Sequence, residues 1–151
     1  MIATPGMAAD CPVTTPPNPP FVAPAPHRPI PAAPDFWYGT EDFWTILRTG
    51  AWHALPHDEH GSRQKVVFWS TSFDWRKEYP VPLRVSGRRL DREAPTFEKL
   101  GGTNAIFGDT AAMLTAIEVP TTGCWEITGS YHDHALKFVV KVEDESANRS
   151  R

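Results

Sequence analysis

The sequence predicts an all-β fold: an antiparallel β-sandwich preceded by a proline-rich extended arm. Three observations predict it. Residues 123–142 read as a β-hairpin, two alternating runs around a polar tip. Some seven or eight short segments rich in β-branched and aromatic residues are separated by turn residues. No long stretch repeats with the helical period.

The hairpin carries the strongest signal. In its second arm Leu136, Phe138, Val140 and Val142 alternate with Ala135, Lys137, Val139 and Lys141. Side chains of a strand point to opposite faces with period two, so one face is apolar and the other carries two lysines. In the first arm Trp125, Ile127 and Tyr131 share a face, opposite Glu126, Thr128 and Ser130. Gly129 takes the remaining apolar-face position, where it leaves room for a bulky neighbour or permits a bulge. His132, Asp133 and His134 form the polar tip. Alternation with one polar face belongs to an antiparallel, half-exposed sheet.

The other elements follow in chain order. Residues 1–34 hold 11 of the 16 prolines, which forbid helix and favour extended polyproline geometry. The simpler reading is a disordered linker, and the alternative is an ordered arm lying on its own domain or on a partner. Phe36 to Tyr38 and Phe43 to Leu47 read as strands separated by Gly39 to Asp42, with a turn at Thr49 and Gly50. Residues 53–64 are polar and read as a loop, and residues 65–71 as a strand. An aromatic segment with Trp75 follows. Val81, Leu83 and Val85 alternate, and Pro82 belongs at an edge or a strand start. Residues 91–110 give only turn signals, at Gly101-Gly102 and Gly108-Asp109. Met113 to Val119 reads as a strand leading to the hairpin, and residues 144–151 as a solvated tail. The domains are thus an arm over 1–34, a sandwich over 35–143 and the tail.

Composition narrows the function classes. With 151 residues and a net charge of −3 there is one domain and no polyanion-binding surface, which argues against nucleic acid. No apolar run reaches the length of a membrane span, and no signal peptide is visible in the sequence as it stands. Cys11 and Cys124 are too far apart for a CxxC site. Two readings stay open: idle buried thiols, or one disulfide tying the arm to the hairpin. A loop of about a hundred residues closed in this way contributes on the order of 4 kcal/mol in the chain-entropy model. Such a bond persists in an oxidising compartment.

Several residue groups are candidates for chemistry. His57 and His60 lie in one polar loop, and His132 and His134 in another. With neighbouring carboxylates they suit copper or zinc, provided the two loops meet at one end of the sandwich. The bland alternative is two solvated loop tips. Six tryptophans are many for this length. Most belong in the core, with Trp52 or Trp75 left to stack on a sugar or anchor a protein contact. Arg76, Arg88 and Arg89 cluster in the same region, where a polar sheet face is the simpler explanation. No GxSxG elbow, HExxH helix or phosphate loop is present, so no catalytic residue is assigned.

Three stretches carry a resemblance: Cys11 to Thr14 (CPVT), Leu83 to Asp91 (LRVSGRRLD) and Pro120 to Gly129 (PTTGCWEITG). In that order they resemble a group of uncharacterised bacterial exported proteins and lipoproteins. The resemblance implies an extracytoplasmic domain of immunoglobulin-like type and supports pairing Cys11 with Cys124. It brings no activity. The resulting expectation is a non-enzymatic, extracytoplasmic sandwich that binds another protein through its arm and a sheet edge. A histidine-loop protein for copper or zinc is the alternative, and an enzyme of unknown type ranks last.

Overall fold

The computed structural model describes residues 10–27, 31–53, 55–58, 61–107 and 110–143. Strands and no helix occur among them: β1 (Asp35–Thr40), β2 (Phe43–Arg48), β3 (Trp52–His53), β4 (Leu55–Asp58), β5 (Gly61–Trp69) and β6 (Leu83–Arg89). They continue as β7 (Phe97–Leu100), β8 (Thr103–Phe107), β9 (Thr110–Val119), β10 (Gly123–Tyr131) and β11 (His134–Glu143). One sheet has the order β1-β2-β5-β9-β8, with β4 also on β5, and the other the order β3-β11-β10-β6-β7. The all-β expectation holds, with two sheets sharing one core.

The predicted hairpin forms in register, with Trp125 opposite Val140, Ile127 opposite Phe138 and Gly129 opposite Leu136. Its apolar face is buried as the alternation requires: Trp125, Ile127, Tyr131, Phe138, Val140 and Val142 are nearly inaccessible. The first sheet answers with Phe36, Phe43, Leu47, Val66, Phe68, Met113, Ile117 and Val119. Phe68 fills the space that Gly129 leaves. A Cβ at Gly129 would lie 2.5 Å from the Phe68 ring. That ring is 0% exposed and stacked on Phe43 at 5.2 Å, so it has nowhere to go.

A second apolar cluster lies on the opposite face of the first sheet. Trp37, Trp44, Trp69 and Ala112 are buried there with Ile46 and Val67 alongside, and the N-terminal segment covers them with Phe21 and Ala23. His27 meets Trp44 edge-on at 5.2 Å, and its burial pushes the imidazole pKa down. The same segment closes the free edge of β11. The Thr14 amide donates to the Val139 carbonyl at 2.9 Å, and the Val139 amide to the Thr14 hydroxyl at 2.8 Å. Cys11 is bonded to Cys124 across 113 residues of sequence, so of the two cysteine readings the disulfide is the one observed.

Two sequence expectations change. Residues 53–64 are not simply a loop: they hold β4 and the start of β5, paired at Leu55 with Arg63. Residues 91–110 contain β7 and β8, two short edge strands whose few apolar residues give little period to read. Most of the tryptophans are core, as expected, but in two places: Trp125 between the sheets, and Trp37, Trp44 and Trp69 on the far face under the N-terminal segment. Pro82 stands just before β6, as expected for a strand start. The predicted tail, 144–151, lies outside the described residues.

Two tests follow from this packing. Gly129→Val should destabilise the protein by about 1–3 kcal/mol through overpacking against Phe68, read as a lower urea midpoint. An unchanged midpoint would mean that the Phe68 layer is soft. Replacing both Cys11 and Cys124 by serine should cost about 2–5 kcal/mol and remove any effect of reductant on the melting temperature. A variant melting with the oxidised wild type would show that the bond holds nothing.

Candidate functional site

The loop from Thr71 to Pro80 crosses from β5 to β6 at the end of the sandwich where β10 turns into β11. Its sequence combines three aromatic residues with charges of both signs. Phe73 turns inward and meets Tyr131 edge-on at 6.0 Å. Trp75 is half-buried, and the Arg76 guanidinium lies over its ring at 4.4 Å. The Trp75 indole nitrogen is buried without a hydrogen-bond partner among the described residues. Tyr79 projects outward and is 79% exposed.

Glu78 holds this loop in place. The Tyr131 hydroxyl donates to its two carboxylate oxygens at 2.9 and 2.8 Å. His132 Nε2 is 2.7 Å from Oε1, and the Asp74 amide donates to Oε2 at 2.8 Å. Burial pushes the Glu78 carboxyl up. The bonds from His132, Asp74 and Tyr131, with the His132 charge, outweigh it and hold the pKa below its ordinary value. Burial and the adjoining Glu78 raise the Tyr131 hydroxyl well above the usual phenol range, so it remains a donor. His132 has a φ of 52°, a conformation that non-glycine residues seldom take. The Glu78 contact anchors the ring of that residue, so the hairpin tip and the loop are braced against each other.

Other sequence candidates fall elsewhere. His134 Nε2 lies 3.5 Å from Asp133, on the same tip as His132. His57 is in β4, which pairs with the start of β5, and Ser62 of β5 is opposite Val119. That is the Gly123 end of β10, whereas His132 follows Tyr131 at the other end. His60 lies outside the described residues, among which no group of three or more metal-ligating side chains occurs.

Trp52 is half-buried against Phe138, with ring centroids 6.0 Å apart. It borders a cavity of about 340 Å³ where β2 parts from β5, beside Arg48, His53, Gln64 and Lys65. Arg88 pairs with Glu126 at 2.9 Å on the polar face of the second sheet. Arg89 binds Asp91 at 2.7 Å and Thr121 at 3.1 Å, and Asp91 in turn accepts the Cys124 amide at 3.1 Å. The Arg89 bond, resisted by burial, lowers the Asp91 pKa. Both arginines therefore have carboxylate partners, unlike Arg76, which lies on an aromatic ring.

Sequence reasoning singled out Trp75, Arg76 and His132 but missed Glu78, Tyr79 and Tyr131 as a group. The signal was Tyr131 at the end of an apolar face: a buried phenol needs a polar partner. Comparison with protein-family models finds no match, and neither curated proteins nor solved structures give one.

Glu78→Gln tests the brace. A carboxyl with a lowered folded pKa contributes stability above its unfolded value, here near 4.5, and loses it as pH falls through the folded value. The variant should be less stable by on the order of 1–2 kcal/mol near neutral pH. The gap between the two urea midpoints should close on acidification below pH 4.5. A gap constant with pH would remove the ionised carboxylate from the account.

Proposed function

We propose that this chain is a non-enzymatic, extracytoplasmic β-sandwich of immunoglobulin-like type that binds another protein. The observation that carries the reading is the braced loop, which sets Arg76 on Trp75 and holds Tyr79 out in solvent. Tryptophan, tyrosine and arginine dominate the energetics of protein interfaces, where they work best when already rigid. Glu78 supplies that rigidity through contacts from three directions.

The disulfide is compatible with an oxidising, extracytoplasmic compartment. Among the described residues no helix is long and apolar enough to cross a membrane. Two layers, antiparallel apart from the short parallel β3–β11 pair, around a tryptophan beside a cystine support the immunoglobulin-like type. The bond departs from that pattern by tying down a segment outside the sheets rather than joining the layers. Because that segment lies on its own sheet, the partner meets the loop rather than the arm.

Photocrosslinking in the producing cells tests the reading. A photoreactive phenylalanine analogue in place of Tyr79 should give one discrete protein adduct. Arg76→Ala or Trp75→Ala should weaken capture by about tenfold or more. The same probe at Lys137, on the other sheet's outer face, should give no adduct. No adduct at Tyr79, or equal labelling at Lys137, would dismiss the loop as a docking site.

A further inference from the structure

The strand edges of this sandwich are not treated alike. The edge of β11 is closed by Thr14 on both sides of Val139. Strand β7 carries Glu98 and Lys99, both exposed. Pro56 interrupts β4, and β1 follows Pro34 and carries Asp35. Strand β3 has only two residues. Charge, proline and short length are the usual protections against edge-to-edge pairing. Strand β8, Thr103–Phe107, has the sequence TNAIF, with no charge, proline or glycine. It lies at the end of its sheet, and Ile106 on it is 54% exposed.

The register shows which backbone groups are open. Phe107 pairs with Thr110, Ala105 with Ala112 and Thr103 with Leu114. Hydrogen-bonded pairs alternate along an antiparallel ladder, and the Val67 carbonyl turned to Thr45 of β2 sets the alternation: Val66 and Phe68 serve β9, their opposites Thr115 and Met113 serve β5, and Ala112 and Leu114 serve β8. The amides and carbonyls of Thr103, Ala105 and Phe107 therefore point to β9, and those of Asn104 and Ile106 point outward. In the other sheet the Val139 groups lie on the outside of β11, where Thr14 is found bonded to them.

We propose that β8 is a self-association edge, and that two copies of this chain pair through it, antiparallel, about a two-fold axis at Ala105. In that register Asn104 exchanges both backbone hydrogen bonds with Ile106 of the second copy, and each Ile106 is the diagonal neighbour of the other on one face. No charge opposes its own image across the axis, because the strand has none. Both copies use the same edge about the two-fold axis, so the pairing closes on itself and does not grow into a fibre. This contact is separate from the Tyr79 loop and holds whether or not that loop binds a protein. A five-residue edge buries less than a standard stable interface, so the dimer is weak and concentration-dependent.

Sedimentation of the full, oxidised chain from about 10 µM to about 1 mM, the range of weak association, tests this. The wild type should shift from monomer to dimer across that range. Ile106→Pro removes an outward amide and leaves the β9 ladder intact, and Ile106→Lys places charge at the axis. Both should remain monomeric with unchanged circular dichroism. Hydrogen exchange on the wild type gives a readout that no variant can confuse: the Asn104 and Ile106 amides should gain protection as concentration rises, several-fold more than the Thr71–Pro80 loop. A wild type that stays monomeric, a dimer that survives both substitutions, or protection that ignores concentration at these amides would each overturn the proposal.

Discussion

The first sheet is apolar on both faces, and the rest of the molecule accommodates that fact. An antiparallel sheet ordinarily leaves one face in water. Here Phe36, Phe43 and Phe68 face the core while Trp37, Trp44 and Trp69 face away from it. Burying a large apolar side chain contributes about 1.5–3 kcal/mol, and an uncovered patch of three indoles would invite association. The N-terminal segment supplies the cover. A cover of prolines is well suited to the task. It lacks many of the amides that a buried, unpaired segment would leave without partners, and it has little conformational freedom to lose. It gains few ladder hydrogen bonds, so it needs fastening, and the Cys11–Cys124 bond with the Thr14–Val139 pair provides it.

The two ends of β10 are secured by different means. At Gly123 the fastening is covalent, reinforced by Arg89 and Asp91 around the Cys124 amide. At Tyr131 it is a carboxylate network centred on Glu78. A covalent end withstands changes of pH, whereas the carboxylate end depends on one ionised group. Loops that recognise partners tend to come from the less stable parts of a structure. Here the exposed aromatic–arginine loop lies at the end that has no covalent fastening, held by the Glu78 network and the packing of Phe73 on Tyr131.

Period-two patterning made the hairpin legible, down to the role of Gly129. A gap in an otherwise apolar face is a statement about a neighbour, and Phe68 is that neighbour. The cysteine pair was readable as one of two choices. The edge strands were not readable, because an edge strand is half solvated and short, and Phe97–Leu100 and Thr103–Phe107 offer no sustained alternation. The position of three tryptophans was also hidden. Trp44 and Phe43 are adjacent, so they face opposite ways in a strand, and sequence alone does not say that both faces are covered. The Glu78 group joins residues 53 and 54 positions apart, a separation that local pattern does not encode.

The chain between β2 and β5 shows how far tertiary packing overrides local pairing. Strand β2 pairs with β5 only at Trp44–Trp69 and Thr45–Phe68. It then departs, and the chain dips into the second sheet at Trp52, opposite Val142, before β4 rejoins β5 at Arg63. The Thr45 hydroxyl bridges the start of the gap by donating to the Val67 carbonyl at 2.7 Å, and the Gln64 side chain ties its far side to the His53 carbonyl at 2.9 Å. Continuing the ladder would have saved those side-chain bonds but left the Phe138 ring without Trp52 beside it. The sheet therefore opens where burying an aromatic ring in the second layer outweighs a few backbone hydrogen bonds, each of which contributes only about 0.5–1.5 kcal/mol net.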